Sequence, residues 1–338
     1  MENPPDLENF QFRGIHPLIH MGTASDRYAG WIGQVYSEDR YKGRITERSK
    51  KLKGTSFKER VLPVESVGEY FQHFSVLELD FTFYRTLLDR DMKPTPTFHV
   101  IGKYLENLGD DARLILKVPQ AVFARKLWRQ GKFQKNPDYL NADFFIRQFY
   151  DPAREMLGDR LYGFIFEQEY QTKKERPSSR EHVGALSAFL NKLPQDNRYH
   201  MEIRTEALLT EPYFAMLEEY GVGQVLSHWT WLPSLARQLE LHQGRFSSSG
   251  KQCIVRLMTP LRLRYEDAYA RAFPFDRLVD GMMHPRSIQD ILEVLTRGIE
   301  EGVEMNVIVN NRFGGNAPLI AKSLAKKFLI HLTRMFNK

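Results

Sequence analysis

The sequence predicts an α/β fold, a TIM-type (β/α)8 barrel in a single domain, and three observations lead there. Short strand-like apolar runs alternate with helix-like segments over roughly 300 residues, the pattern of a parallel sheet covered by helices. In VLELDFTFYR, residues 76–85, a period of two puts Leu77, Leu79, Phe81 and Phe83 on one face and Glu78, Asp80 and Thr82 on the other. A half-exposed antiparallel strand would alternate in the same way. Among repeated βα units the barrel is the better fit, because barrel strands turn apolar residues to the helices and collect inward polar residues at the mouth. Finally, no Pro/Gly/Ser linker divides the 338 residues, so residues 15–338 read as one domain behind a flexible N-terminal segment, residues 1–14.

Taken in order, the first twelve residues, MENPPDLENFQF, carry acids and prolines and lack the apolar stretch of a secretory signal. The first strand is expected at 18–23 and is followed by a long connection, 24–63, with a basic insertion at about 37–61. A helix over 64–74 leads to the second strand, 76–82, and Pro94-Thr95-Pro96 opens the next helix. The third strand, 112–118, is followed by a second long segment, 119–139. Over 141–157 the apolar residues Phe144, Phe145, Phe149, Ala153, Met156 and Leu157 recur at helical spacing, with Gly158 placed as a C-cap. Strands at 162–168, 198–204, 222–228, 252–258 and 304–310 complete the set of eight. Helices are expected at 180–193, 208–220, 287–302 and 317–336, and SSSG, 247–250, is a turn before the seventh strand. The third long segment, 259–285, follows that strand. Non-regular connections of such length are uncommon and are often functional, and each lies at the barrel face where active sites assemble.

Hydrophobic content of 42% and charged content of 27% are those of a globular protein, and no run approaches the ~18 apolar residues of a membrane span. Cys253 stands alone in QCIVRLM, so no intramolecular disulfide forms; a buried strand position is expected for it, and a cytoplasmic location for the protein. The net charge of +6 is local in origin. Residues 38–60 hold nine Lys or Arg against four acids, and residues 121–137 hold five more and no acid. A solvated charge run is the plain reading of either segment. Two of them on one rim favour an anionic partner, either a small molecule or nucleic acid; no membrane is implied, and no protein partner can be named.

The chain resembles the domain of unknown function 72 family, also called YecE-like proteins. GTASDRYAGW, residues 22–31, is similar to that family's GTSGWxYxxW, and YFQHFSVLELDFTFYR, residues 70–85, to its segment ending VExNSTFYR. Lys117 with Pro119, Gln168, MEIR at 201–204, VRLM at 255–258 and VNNRFGGNAP at 309–318 follow in the family's order. The resemblance spans roughly residues 18–325 and implies a TIM barrel without a settled biochemical role. Departures are Asp80 for Asn, Ser25 and Asp26 for Gly and Trp, His228 for Asp, Met258 for His and Ile320 for Asn. They mark a divergent branch.

The fifth strand repeats the logic of the second, with His200, Glu202 and Arg204 on one face and Met201 and Ile203 on the other. With Lys117, Gln168, Arg256 and Asn310 this gives a mouth of alternating acids and cations. Such groups can simply neutralise one another, since buried charges must be paired and paired charges need not be catalytic. Toward a phosphate or carboxylate, Arg204 and Arg256 would grip oxygens bidentately and Lys117 would add a point charge. Glu78, Asp80 and Glu202 are then the candidate catalytic groups, with Glu78 and Glu202 as acid and base. The candidate ligand-binding set is Tyr28, Trp31, Tyr84, Lys117, Gln168, Arg204, His228, Arg256, Asn310 and Asn311. The turn at 314–318 offers backbone N–H groups to an anion, or only changes direction.

Aromatic residues accompany both basic segments: Tyr28, Trp31, Tyr36 and Tyr41 at the first, Phe123, Trp128, Phe133 and Tyr139 at the second. They stack bases along a charged groove, or anchor the loops to the barrel; the same choice applies to Trp229 and Trp231. No cofactor is expected. A divalent metal would need His228, Glu202, Glu78 and Asp80 to converge from separate strands, because no HxxxH, HExxH or HxH spacing exists. Three functions compete: a hydrolase acting on an anionic or phosphodiester substrate, a non-catalytic nucleic-acid-binding protein using the basic loops, and a glycosidase-like enzyme with paired carboxylates.

Overall fold

The computed structural model describes residues 5–336. Thirteen strands occur among them: β1 Ile19–Ala24, β2 Thr46–Leu52, β3 Thr55–Val61, β4 Val76–Leu79, β5 Arg113–Lys117, β6 Lys126–Arg129, β7 Lys132–Lys135, β8 Leu161–Gln168, β9 Tyr199–Ile203, β10 Gly223–Gln224, β11 Leu226–His228, β12 Gln252–Leu257 and β13 Glu304–Val309. Nine form one sheet in the order β10-β9-β8-β5-β4-β1-β13-β12-β11, and every pairing in it is parallel. Its two ends, β10 and β11, are separated by Val225 alone, whose N–H donates to Met201 O at 2.9 Å. They are halves of one strand, so the sheet closes into the eight-stranded barrel that the βα alternation predicts. Each strand falls within two residues of its expected place except the second: β4 stops at Leu79, and residues 80–84 turn into a 3-10 helix.

Helices pack outside the barrel against one apolar cluster that runs from Phe12 to Phe328. The helix Pro96–Leu105 begins on the expected proline, behind Thr95 as N-cap. Helical residues 142–157 include a π turn over Ile146–Tyr150 and end at Gly158 with φ +52°. Inside the barrel a smaller cluster, formed by Ala24, Val76, Ile115, Ile165, Val225, Ile254, Met258 and Ile308, is the apolar layer on which the mouth rests. Cys253 lies in the core, where burial pushes its thiol up to about 12. None of the described helices is long and apolar enough to cross a membrane.

Two expectations are corrected. Residues 1–4 of the flexible N-terminal segment lie outside the described residues, but residues 5–14 are packed: Phe12 is buried with its ring 4.8 Å from Phe74, Arg13 donates to Phe71 O at 3.0 Å, and Glu8 pairs with Lys322 at 2.9 Å. The long connections are not irregular either. The first holds the antiparallel hairpin β2–β3, the second the hairpin β6–β7, and the third the helix Tyr265–Ala272. Both hairpins turn on two residues of positive φ, Lys53-Gly54 (+46° and +85°) and Gln130-Gly131 (+51° and +77°), the geometry that matches strand twist.

Gly22, in the first motif, is fixed by crowding. A Cβ there would sit 2.0 Å from Val76 O, across the pairing of β1 with β4. Gly22→Ala is expected to destabilise the protein by at least the roughly 1–3 kcal/mol of an overpacked core. A thermal midpoint unchanged within a degree would show that the two strands separate more easily than this packing allows.

Candidate binding site at the barrel mouth

Period-two alternation aims Glu78 of β4, Lys117 of β5, Glu167 of β8, Glu202 of β9 and Arg256 of β12 into the barrel just above the interior apolar layer. Arg256 is fully buried and is the hub. Its Nε and Nη2 donate to the two oxygens of Glu78 at 2.8 and 2.6 Å, and its Nη1 donates to Glu202 and, at 3.1 Å, to Glu167. One oxygen of Glu167 also receives Lys117 at 2.6 Å and Arg204 at 2.7 Å, while Arg204 Nε donates to Glu202 at 3.1 Å. Three carboxylates meet three cations, so the interior is neutral.

Burial opposes ionisation of Glu167, but Arg204, Lys117 and Arg256 outweigh it and hold the carboxyl far below the ordinary range. Glu202 is likewise lowered, by Arg204 and Arg256 against burial. For Glu78 burial prevails and the shift is upward, with Arg256 and Lys117 pulling the other way. Glu78 and Glu202, expected as acid and base, are both closed off from solvent and share one guanidinium. That guanidinium lies between the two carboxylates and bonds to both. The network turns Arg256 from a ligand-gripping residue into a structural one.

Several other expected residues face elsewhere. His228 points to the helix side, its Nδ1 2.7 Å from Thr259 O and its Nε2 3.0 Å from Ser287 Oγ. It therefore cannot converge with Glu78, Asp80 and Glu202 on a metal, and no group of three or more His, Cys, Asp or Glu side chains fit to hold one exists among the described residues. Gln168 is also outward and buried, bonded to Tyr139 and Gln171. Its neighbour Glu167 is the inward residue. Trp31 is buried with its indole N–H donating to Asn311 Oδ1 at 3.1 Å, and the Ala317 N–H donates to the same oxygen at 2.7 Å, so both residues tie the first loop to the last. In the turn at 314–318, the N–H groups of Gly314 and Gly315 donate to Asn311 O, leaving no cradle for an anion. Asn310 is spent on capping, its Oδ1 accepting the Arg312 N–H at 3.0 Å.

What remains open lies one layer higher. Thr82 Oγ1 sits 2.8 Å from Leu79 O and 2.7 Å from Lys117 O, and this clasp curls the chain after β4 so that Asp80 comes out at the mouth, half-buried. The Asp80 carboxylate makes no hydrogen bond or ion pair among the described residues, although its charge bears on Glu78, Tyr28 and Tyr84. Arg312, which the sequence reading missed, lies with its guanidinium 4.5 Å from the Tyr265 ring, and its buried Nε has no partner. It too acts on Tyr28 and Tyr84. Tyr84 is 73% exposed beside them, while Tyr28 is half-buried and packs on Trp31 and Phe275. Lys117 and Arg204 reach the same space from below, with side chains 9% and 12% exposed and cationic ends against Phe83 (3.9 Å) and Trp229 (4.0 Å). Asp26, nearby and buried, has its carboxyl raised to about 6 by burial; one of its oxygens accepts from Tyr104 at 2.7 Å and the other has no partner.

Residues 20–337 match the family described as Protein of unknown function DUF72. The chain belongs to the DUF72 family. It is similar to a DUF72 family protein from Thermotoga maritima, at 18% identity and a TM-score of 0.55, over 92% of this chain and 99% of that one. It is also similar to a DUF72 family protein from Enterococcus faecalis, at 15% identity and a TM-score of 0.56, over 92% and 95%. At these identities the likeness shows the fold. A search of curated proteins found no match. The departures from the DUF72 motifs take physical form: Ser25 stands at φ +72°, a conformation that Gly adopts without strain, and Met258 and Ile320 are buried among apolar residues.

Proposed function

We propose that this DUF72 protein binds a phosphate-bearing ligand at the barrel mouth, with Arg312, Arg204 and Lys117 toward the anion and Asp80 accepting from a hydroxyl or amino group of the same ligand. The observation that carries this reading is a pair of opposite charges outside the buried network, Arg312 with an unpartnered Nε and Asp80 with no ion pair among the described residues, both acting on Tyr28 and Tyr84. Buried polar groups are ordinarily hydrogen-bonded, so a guanidinium with an orphaned nitrogen gains by turning toward a ligand oxygen. Glu78, Glu167 and Glu202 support the site from below and transfer no proton in this reading. Any hydrolysis would rest on Asp80 as the base, and a cytoplasmic setting belongs to the same proposal.

Calorimetric titration with inorganic phosphate and with a sugar phosphate tests it. Arg312→Gln is expected to weaken both ligands by about 1.5–3 kcal/mol, the loss of one charge-assisted hydrogen bond. Asp80→Asn is expected to weaken the sugar phosphate while sparing inorganic phosphate. Equal affinities in wild type and Arg312→Gln would end the proposal.

A further inference from the structure

The two basic hairpins, alike in sequence, differ in how their charges are used. In β2–β3, Arg48 pairs with Glu59 across the hairpin at 2.5 Å, while Lys50 donates to Tyr265 Oη at 3.0 Å and Lys53 pairs with Asp267 at 2.9 Å, so the two lysines fasten the hairpin to the helix Tyr265–Ala272. In β6–β7, Arg129, Lys132 and Lys135 make no ion pair among the described residues. Register places Trp128 opposite Phe133 and Lys126 opposite Lys135, so these four side chains share one face. Trp128 and Phe133 are 62% and 67% exposed, with ring centres 4.9 Å apart at 73°. Two large aromatic rings left in water on a cationic hairpin are a costly arrangement for a residue pair that only anchors a loop.

That face opens on a pocket of about 480 Å³ between the hairpin and the loop after β8, walled by Phe133, Tyr139 and Tyr170. Most of its own charges are spent internally. Lys126 pairs with Glu175, Arg125 Nη1 donates to Gln171 at 2.9 Å, and the Arg125 N–H donates to Glu169 at 3.0 Å. The pocket is therefore aromatic with one unpaired cation, Lys135, in its lining, and Arg129 and Lys132 lie on the hairpin outside it.

We propose that this surface holds single-stranded nucleic acid, with an unpaired base in the pocket against Phe133, Tyr139 and Tyr170, a neighbouring base on Trp128, and phosphates on Lys135 of the same face and, where the strand passes over the hairpin tip, on Lys132 and Arg129 of the other. Aromatic faces accept any unstacked base, and a cationic rim tracks the backbone. A duplex keeps its bases stacked and offers the rings nothing. The inference shares with the proposed function only an anionic ligand on this face of the barrel. It uses none of the mouth residues, so the two fail separately.

The test is fluorescence anisotropy of labelled oligo-dT and of a duplex of equal length, over a salt series. The wild type is expected to prefer the single strand. Trp128→Ala with Phe133→Ala should weaken that complex roughly ten- to hundred-fold with the salt slope retained. Lys132→Gln with Lys135→Gln should reduce the slope by about 1.4. All four positions are exposed, and circular dichroism verifies the fold of each variant. Equal binding of both probes, indifference to the aromatic pair, or no binding at low salt overturns the inference. So does loss of oligo-dT binding in Arg312→Gln alone, which would move the strand into the mouth. Phosphate binding that depends on Arg312, in a protein that ignores oligo-dT, leaves the proposed function standing and removes this one.

Discussion

Arg256→Met is expected to destabilise the protein by about 3–5 kcal/mol, because it leaves three buried carboxylates without their shared cation. Glu78 loses both of its donors, Glu202 keeps only Arg204, and Glu167 keeps Lys117 and Arg204. Arg256→Lys should recover little of this, since a single ammonium cannot span Glu78, Glu167 and Glu202 as the planar fork does. Replacing the acids as well reverses the sign of the argument. Arg256→Met combined with Glu78→Gln removes the most isolated charge along with its partner and should regain a substantial part of the loss. Urea unfolding midpoints at constant slope measure both effects. A shift below about 1 kcal/mol for Arg256→Met would mean that water or a rotated acid already screens the site, against the closed network in the structure.

That network also marks how far the sequence could be read. The strand pattern carried the barrel, and period two aimed Glu78, Lys117, Glu202 and Arg256 inward as they lie. What alternation does not carry is depth: at the rim these groups would grip a ligand, and one layer lower they grip each other. Two parity slips followed from taking the last polar residue of a strand as its inward one. In LYGFIFEQ, Phe164 and Phe166 face the helices, so Gln168 shares their side and Glu167 points in. In β11, Ser227 lies in register with Arg256, which sends His228 outward. The hairpins carried a signal that went unused, the Lys53-Gly54 and Gln130-Gly131 turns between extended runs; without an apolar stripe their strands look like solvated loops. Arg312 had no local signature, because its unpartnered nitrogen depends on a loop some fifty residues away folding beneath it.

Below pH 6.5 the protein is expected to lose stability well before its ion-paired carboxylates protonate. Burial holds His200 and His182 at about 4, against an ordinary value of 6.5, and the Nε2 of each has no partner. As pH falls from 6.5 to 4 the unfolded chain takes up protons that the folded chain refuses, so each histidine removes about 3 kcal/mol over that window and nothing above it. Asp26 works in the opposite sense. Its folded carboxyl titrates near 6 and its unfolded one near 3.8, so the folded state binds the extra proton between those values and returns about 3 kcal/mol. These three groups alone leave a net fall of about 3 kcal/mol between pH 6.5 and 4. The variants separate the contributions: His182→Gln should flatten the acid limb, and Asp26→Asn should steepen it by deleting the offset. Urea midpoints at pH 7, 5.5 and 4.5 decide the matter, and a flat profile in the wild type would show that these histidines reach solvent when protonated.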